Sequence, residues 1–170
     1  VTAHSEKEHA AATFKRGFGF HPLCAFTDHG QGGTGEPLVI RLRPGNAGSN
    51  TASDHIAVTE AALAQLPTAA VDRPAGSVLV RADGAGGTKA FVGWLSAQRL
   101  SYSVGFTLPF DTPQLYRLIL DDAWEAAFDA DGQPREGAAV TEITTLLDLD
   151  DWPDGMRVII RRERPHPGAQ

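Results

Sequence analysis

The chain has 170 residues, of which 42% are hydrophobic and 21% are charged, and this composition is typical of one globular domain. It excludes a disordered tail, a coiled coil and a fibrous repeat, and no stretch approaches the roughly 18 consecutive apolar residues of a membrane-spanning helix. A single cysteine, Cys24, excludes an intramolecular disulfide and fits a reducing compartment. The segment starting at Val1 has no signal-peptide pattern, and we expect the chain to begin inside a longer protein.

The formal net charge of −6 argues against a nucleic-acid partner until its distribution is considered. Residues 101–150 contain ten acidic side chains but only two basic ones, Arg117 and Arg135, which gives a local charge of −8. Removing this −8 from the total of −6 leaves +2 for the rest of the chain. A neutral or basic surface outside the acidic segment is therefore compatible with the sequence.

Hydrophobic patterning predicts the element order β-β-α-β-α-β between residues 20 and 107, an α/β layer built on one mixed sheet. Apolar runs rich in strand formers predict strands at 22–28, 37–42, 77–82 and 102–106. The first two are expected to form an antiparallel pair, because a glycine-rich loop joins them. The strand at 77–82 is predicted to be buried.

Helix-capping signals set the limits of the two predicted helices. Thr51 and Asp54 match a capping box at the start of the first helix, which is predicted to end before Pro67. Its buried face is predicted to carry Ile56, Leu63 and Leu66. Thr88 is predicted to cap the second helix, whose shared apolar face carries Phe91, Trp94 and Leu95.

Beyond Pro109 the pattern changes to short strands within the acidic segment. It predicts a short helix over 112–122 and strands over 124–128, 140–147 and 157–161, with a turn at 129–132. We therefore divide the chain into an α/β part, residues 1–108, and a β-rich acidic part, residues 109–170.

Sequence motifs for two common kinds of site fail when their context is considered. Gly30 to Gly35 fits the dinucleotide-binding pattern G-x-G-x-x-G, but a predicted strand follows where that motif requires a helix. We interpret this segment as a hairpin loop. The six histidines show no H-x-x-x-H spacing and Cys24 stands alone, so no zinc site is predicted.

The segment from Asp83 to Lys89 lacks the Gly-Lys-Ser/Thr order of a phosphate-binding P-loop. Asp83 nevertheless follows a predicted parallel strand, and ligands of α/β sheets collect at the carboxyl ends of the strands. A carboxylate in this place is able to ligate a hard cation such as Mg²⁺. The alternative is that Asp83 only starts the turn leading to the next helix, a common use of an Asp-Gly pair.

Two groups of basic residues are candidates for phosphate contacts: Lys15 with Arg16, and Arg161 with Arg162 and Arg164. A solvated basic rim is the alternative explanation for both groups.

Five phrases that together span nearly the whole chain resemble the DDE-type insertion-sequence transposases of bacteria, the group described as transposase DDE domain group 1. They are V-T-A-H-S-E-K-E (1–8), T-F-K-R-G-F-G-F-H-P-L (13–23), R-P-G-N-A-G-S-N-T-A-S-D-H-I (43–56), R-A-D-G-A-G-G-T (81–88) and R-R-E-R-P-H-P-G-A-Q (161–170). Long phrases in the family's order are more specific than any short motif above.

The resemblance implies an RNase H-like catalytic core and two-metal phosphoryl chemistry, in which two aspartates and a glutamate hold Mg²⁺ or Mn²⁺. Asp83 is then the second aspartate, while the first would precede Val1 and the glutamate would follow Gln170. Because one carboxylate cannot bridge two divalent ions, we expect the 170-residue chain not to cleave DNA by itself, whereas its parent protein would.

The resemblance further implies a parent that acts on the element's terminal inverted repeats as a homodimer, in the bacterial cytoplasm at the nucleoid. Lys7 is an additional candidate for phosphate contacts. The family's first strand, largely missing here, would lie between the strands at 22–28 and 77–82, so we expect the isolated chain to be marginally stable or prone to aggregation. Two alternatives stay open: a non-catalytic remnant of a decayed gene that binds DNA or a full-length copy, and an α/β domain that binds a small ligand.

Overall fold

The computed structural model describes residues 1–3, 9–30, 35–67, 74–108 and 112–164. Lys7 and most of the glycine-rich segment 30–35 lie outside the described residues. The chain divides into two compact units, Val1–Thr107 (the first unit) and Leu108–Gln170 (the second unit). No helix among the described residues is long and apolar enough to cross a membrane.

The first unit is an α/β assembly whose elements follow the predicted order. Its strands and α-helices in the described ranges are β1 (Ala11–Ala12), β2 (Phe18–Thr27), β3 (Glu36–Pro44), α1 (Ala52–Leu63), β4 (Leu79–Ala82), α2 (Lys89–Ala97) and β5 (Ser101–Val104). The strands β2 and β3 form the predicted antiparallel pair, with Leu23 opposite Arg41. The two-residue strand β1, which the hydrophobic pattern does not predict, pairs with the start of β2.

The predicted single mixed sheet is not formed by the described residues, which build two separate sheets in the first unit. One is the antiparallel sheet β1-β2-β3, and the other is the parallel pair β4-β5, with Val80 opposite Tyr102. Within the described ranges no strand is hydrogen-bonded to both β2 and β4. The hydrogen-bonded ladder therefore does not continue from β2 to β4 within these residues.

The edge of β2 that faces away from β3 is paired only at its beginning. Thr2 and Ala11 both pair with Gly19, so they lie on opposite edges of β2. The Thr2 edge is the one that faces away from β3, and on it Phe20 N donates to Val1 O at 2.8 Å. The remainder of this edge has no strand partner in the described part of the chain, and its backbone groups are therefore available for pairing.

Helix α1 begins where predicted, directly after Thr51, but the predicted capping box is not formed. The Thr51 hydroxyl instead donates to Gly48 O at 3.0 Å, and the carboxylate of Asp54 binds two arginines of β3. The fully buried residues of α1 are His55, Val58 and Ala62 rather than the predicted Ile56, Leu63 and Leu66. The buried face differs because it packs against β2, β3 and α2, where the His55 ring centroid lies 5.4 Å from that of Phe91.

Helix α2 is capped as predicted, since Thr88 Oγ1 accepts a hydrogen bond from Phe91 N at 3.2 Å. Its buried residues Phe91, Val92 and Leu95 form the centre of the first unit's core. The strand β4 is not buried as predicted, because it pairs with β5 alone and alternates between exposed and half-buried residues.

The antiparallel sheet is covered on one face and exposed on the other. Arg43 of β3 is only 4% exposed and bonds to α1, whereas Ile40 and Leu42 of the same strand are 62% and 54% exposed. Because side chains alternate across a strand, Ile40 and Leu42 share the face opposite to Arg43. The described residues thus leave two apolar side chains of β3 exposed on the uncovered face.

In its described residues the second unit is an antiparallel meander, β6-β7-β8, preceded by one short α-helix and two 3-10 turns. Its strands and α-helix in the described ranges are α3 (Thr112–Leu115), β6 (Glu125–Phe128), β7 (Pro134–Glu142) and β8 (Ile159–Glu163). The predicted strand over 140–147 is wrong beyond Glu142. The predicted helix over 112–122 is α-helical only as far as Leu115 and is followed by 3-10 turns at Tyr116–Leu118 and Asp121–Ala123. The Thr144 hydroxyl accepts from Val158 N at 2.9 Å, which replaces a backbone bond of the ladder and ends β7. The apolar core of this unit contains Ala127, Ala138, Ile143, Val158 and Ile160.

Candidate active site

Asp83 directly follows β4, at the carboxyl end of a strand that is parallel to β5, and its side chain is exposed. Its Oδ1 accepts a hydrogen bond from Ala85 N at 3.0 Å, so Asp83 also caps the short 3-10 turn Gly84–Gly86. The turn-initiating role considered from the sequence is thus present. It fixes the carboxylate at the end of the strand instead of removing it from solvent.

Glycines bring the loop after β4 against the loop after β5. A Cβ atom on Gly87 would lie 2.3 Å from Gly105 O, and one on Gly86 would lie 2.7 Å from Ala82 Cβ. Gly105 N donates to Ala82 O at 3.1 Å and so joins the loop after β5 to the end of β4. A side chain at Gly87 would force the two loops apart, so this close contact holds the Asp83 turn beside the loop after β5.

An exposed carboxylate oxygen is the kind of ligand that a hard divalent cation prefers, so Asp83 fits one position of such a site. In the described ranges, no group of three His, Cys, Asp or Glu side chains is arranged to hold a metal ion. Two other acids, Asp28 and Glu163, both have partners. Asp28 accepts from Gly30 N at 2.9 Å and lies 3.7 Å from Arg81, while Glu163 is paired with arginines.

Lys15 and Arg16 lie together at the tip of the hairpin formed by β1 and β2, where both side chains are exposed. The hairpin tip also contains Phe14, which the sequence patterns did not identify as a candidate. The available signal was local: an aromatic residue stands beside two cations in the stretch Thr13 to Gly17.

The three arginines near the end of β8 do not form one patch. Arg161 and Arg162 are consecutive strand residues and point to opposite faces. Arg161 binds Glu163 at 3.0 Å, whereas the Arg162 guanidinium lies 4.1 Å from the centroid of the Trp124 ring. Arg164, just past the end of β8, is exposed. Two of the three cations therefore have partners within the second unit.

The family-like phrase at residues 43–56 has a structural explanation. The buried Arg43 guanidinium donates to Asp54 Oδ2 at 3.2 Å, to Gly48 O at 3.0 Å and to His21 O at 3.2 Å. One side chain thus ties β2 and β3 to the 44–50 loop and to the first turn of α1. The phrase keeps both ends of a buried ion pair, and no chemistry on a substrate is needed to explain it.

Comparison with protein families gave one match that covers the whole chain. A family model described as transposase DDE domain group 1 matches residues 1–170. Searches of the curated proteins and of the solved structures gave no significant match.

Proposed function

Because this chain belongs to the family described as transposase DDE domain group 1, we propose that it is part of a catalytic domain that cleaves and joins DNA at the ends of a mobile element. The family implies DNA binding and generally uses divalent metal ions. The observation that carries the proposal is the exposed carboxylate of Asp83 at the carboxyl end of a parallel strand. Asp83 is assigned as one ligand of the metal ions.

Asp83 would hold Mg²⁺ or Mn²⁺ through its carboxylate, and the bound ions would supply an activated nucleophile and stabilise the leaving oxygen of an in-line displacement. The chain's own contribution is positioning. The bond from Ala85 N orients Oδ1, and the close packing at Gly87 holds the turn beside the loop after β5. The side chain is thereby directed by local structure rather than by burial.

The two sheets of the first unit are proposed to be parts of one RNase H-like sheet, and the second unit is proposed to be its β-rich insertion. Three features support this arrangement: the β-β-α-β-α-β order, the parallel β4-β5 pair, and the unpaired edge of β2 in the described residues. A strand parallel to β4 and antiparallel to β2 would join them. The exposed Ile40 and Leu42 face supports a further covering layer on this sheet.

We further propose that the 170-residue chain does not cleave DNA alone and that the remaining carboxylates belong to other parts of a longer bacterial protein. That protein would act at the nucleoid as a homodimer on the element's terminal inverted repeats. A non-catalytic remnant that binds DNA or a full-length copy is the second candidate.

The test is a nicking assay on a supercoiled plasmid that carries the element ends, with Mg²⁺ or Mn²⁺. The longer protein is expected to nick at the ends, and Asp83→Asn is expected to reduce the rate by about a hundredfold or more. Asp28→Asn is the matched control, because Asp28 is also exposed at the end of a strand of the first unit, and it should retain activity.

Three results would contradict the proposal in different ways. Specific nicking by the 170-residue chain that Asp83→Asn abolishes would show that the chain is active alone. Full activity of the longer Asp83→Asn protein would remove Asp83 from the metal site. An inactive longer protein with Asp83 intact would establish the remnant instead.

A further inference from the structure

Residues 13–17 join β1 to β2. Within them, Phe14, Lys15 and Arg16 form a three-residue hairpin tip between Thr13 and Gly17. Thr13 N donates to Gly17 O at 2.8 Å, and Arg16 N donates to Thr13 O at 3.0 Å, so the base of the loop is closed. Hairpin loops of this length commonly end in a residue with left-handed backbone, and Arg16 has a φ of 59°. The tip is therefore a defined turn that presents three consecutive side chains.

Arginine is an unfavourable choice for the last position of this turn. Glycine and asparagine adopt positive φ most readily, whereas a residue with a longer side chain is strained there. The Arg16 side chain is exposed, so burial does not explain its presence. The turn therefore holds the exposed Arg16 side chain out into solvent at a position where glycine would be less strained.

Phe14 is 91% exposed, which makes it the most exposed of the large apolar residues in the described part of the chain. The Lys15 ammonium lies 5.8 Å from the centroid of the Phe14 ring, so a cation and an aromatic face form one surface. An open pocket of about 410 Å³ lies beside the tip, and its lining includes Phe14, Lys15, Phe20 and His21. An exposed aromatic ring followed directly by two cations, one of which lies over the ring, is a combination that binds single-stranded nucleic acid.

We propose that this hairpin tip binds DNA at an unpaired base, with Phe14 stacked on the base and Lys15 and Arg16 on the flanking phosphates. The inference rests on the proposed function, which supplies DNA as the partner. Every base has a π-face, so stacking needs no particular sequence. In a duplex those faces are covered by neighbouring pairs, so the tip should prefer single strands, frayed ends or opened base pairs.

The test measures binding of a fluorescein-labelled 20-nucleotide single strand and of the matching blunt duplex by anisotropy, with EDTA present. Phe14→Ala is expected to weaken single-strand binding about tenfold or more, with a smaller effect on the duplex. Phe14→Trp should restore the affinity. Phe128→Ala is the matched control, because Phe128 is also strongly exposed, at 64%, but belongs to the second unit, and it should bind like the unchanged chain.

Arg16→Gly separates a binding role from a structural one. Glycine relieves the positive φ, so the thermal midpoint should stay the same or rise, while DNA affinity falls. The slope of log affinity against log salt concentration is negative, and it should become less steep by about 0.7 for each phosphate of a single strand that the variant no longer neutralises. Lys15→Ala should give the same change in slope.

Four results would overturn the inference. They are no DNA binding by the unchanged chain, a Phe14→Ala affinity for DNA within twofold of that of the unchanged chain, an equal loss of affinity in Phe128→Ala, and tighter binding to anionic phospholipid vesicles than to DNA. The EDTA in the binding assay removes divalent metal ions, so binding is measured without the metal site. The hairpin and the metal site therefore fail independently, because nicking depends on Asp83 and this binding does not.

Discussion

The two units of this chain use their charged residues in opposite ways. The first unit has nine basic and eight acidic side chains, and the second has six basic and thirteen acidic ones. In the first unit the Arg43–Asp54 pair is almost buried and makes additional bonds to backbone oxygens. In the second unit, pairs such as Arg157–Glu142 lie on the surface. Stability that depends on electrostatics should therefore be concentrated in one place in the first unit and spread thinly in the second.

The sheets differ in a corresponding way. The second unit is one continuous meander, in which β7 is paired on both edges, by β6 and by β8. The first unit has two separate sheets in its described residues, and one of them exposes Ile40 and Leu42. Because no strand joins β2 to β4 in its described residues, the two sheets of the first unit are held together by contacts between helices, loops and strands. Substitutions that remove such contacts should have the larger effects.

Arg43→Ala is the substitution expected to have the largest effect. It removes the buried partner of the Asp54 carboxylate, which keeps only the more exposed Arg41, and breaking a buried ion pair costs about 3–5 kcal/mol in comparable cases. Because a domain of this size has about 5–15 kcal/mol in total, the first unit should lose most of its protection. Hydrogen exchange followed by mass spectrometry measures this separately on peptides from the two units.

Arg41→Ala is the control for Arg43→Ala, since Arg41 binds the same Asp54 carboxylate at 3.4 Å but is 48% exposed. Its cost should stay below about 1 kcal/mol, as for other surface pairs. Equal losses for the two variants would mean that burial does not distinguish the pairs, and the contrast between the units would disappear.

Gly87→Ala should have an intermediate effect. The new Cβ would lie 2.3 Å from Gly105 O, so the loops after β4 and β5 must separate, at a cost of about 1–3 kcal/mol. Gly84→Ala, three residues earlier, is the control because its Cβ would meet nothing within 4 Å. Urea unfolding compares the two midpoints. A lower midpoint for Gly84→Ala than for Gly87→Ala would contradict the proposed role of close packing in placing Asp83.

Local signals were enough to predict part of this structure. The Thr88 cap, the antiparallel pair β2-β3 and the position of Asp83 after β4 depend on residues close together in sequence, and all three are found. The failure of the Thr51–Asp54 capping box has a distant cause, because Asp54 binds Arg43, eleven residues earlier. No propensity at the helix start reports such a competitor.

The divided sheet and the hairpin tip are two features that sequence patterns could not predict. Strand patterns give the order of elements, but which strands are hydrogen-bonded depends on what occupies the space between β2 and β4. The strand β1 consists of two alanines, which have little preference for strands, so the pattern could not predict the hairpin that presents Phe14. The phrase that contains the tip carries part of the family resemblance, but the geometry of the tip depends on the pairing of β1 with β2.

The smallest effect is expected in the second unit, at Glu142. Its hydrogen bonds from Arg157 and Thr144 lower the pKa of this carboxyl below its ordinary value of 4.5. A lowered pKa in the folded state means that folding favours the charged form, so the contribution is complete above about pH 4.5 and is lost as the pH falls through the lower, folded value. Glu142→Gln should therefore lower the thermal midpoint slightly at pH 7 and leave it unchanged in strong acid.

Glu136→Gln provides the control, since Glu136 is exposed on the same strand, β7. A pH-dependent difference confined to Glu142→Gln, visible in hydrogen exchange of β7 and β8 peptides, would show that a surface pair of the second unit acts locally. A loss at Glu142 as large as that of Arg43→Ala would mean that the acidic unit also depends on a single ion pair. The two units would then differ in charge but not in how charge stabilises them.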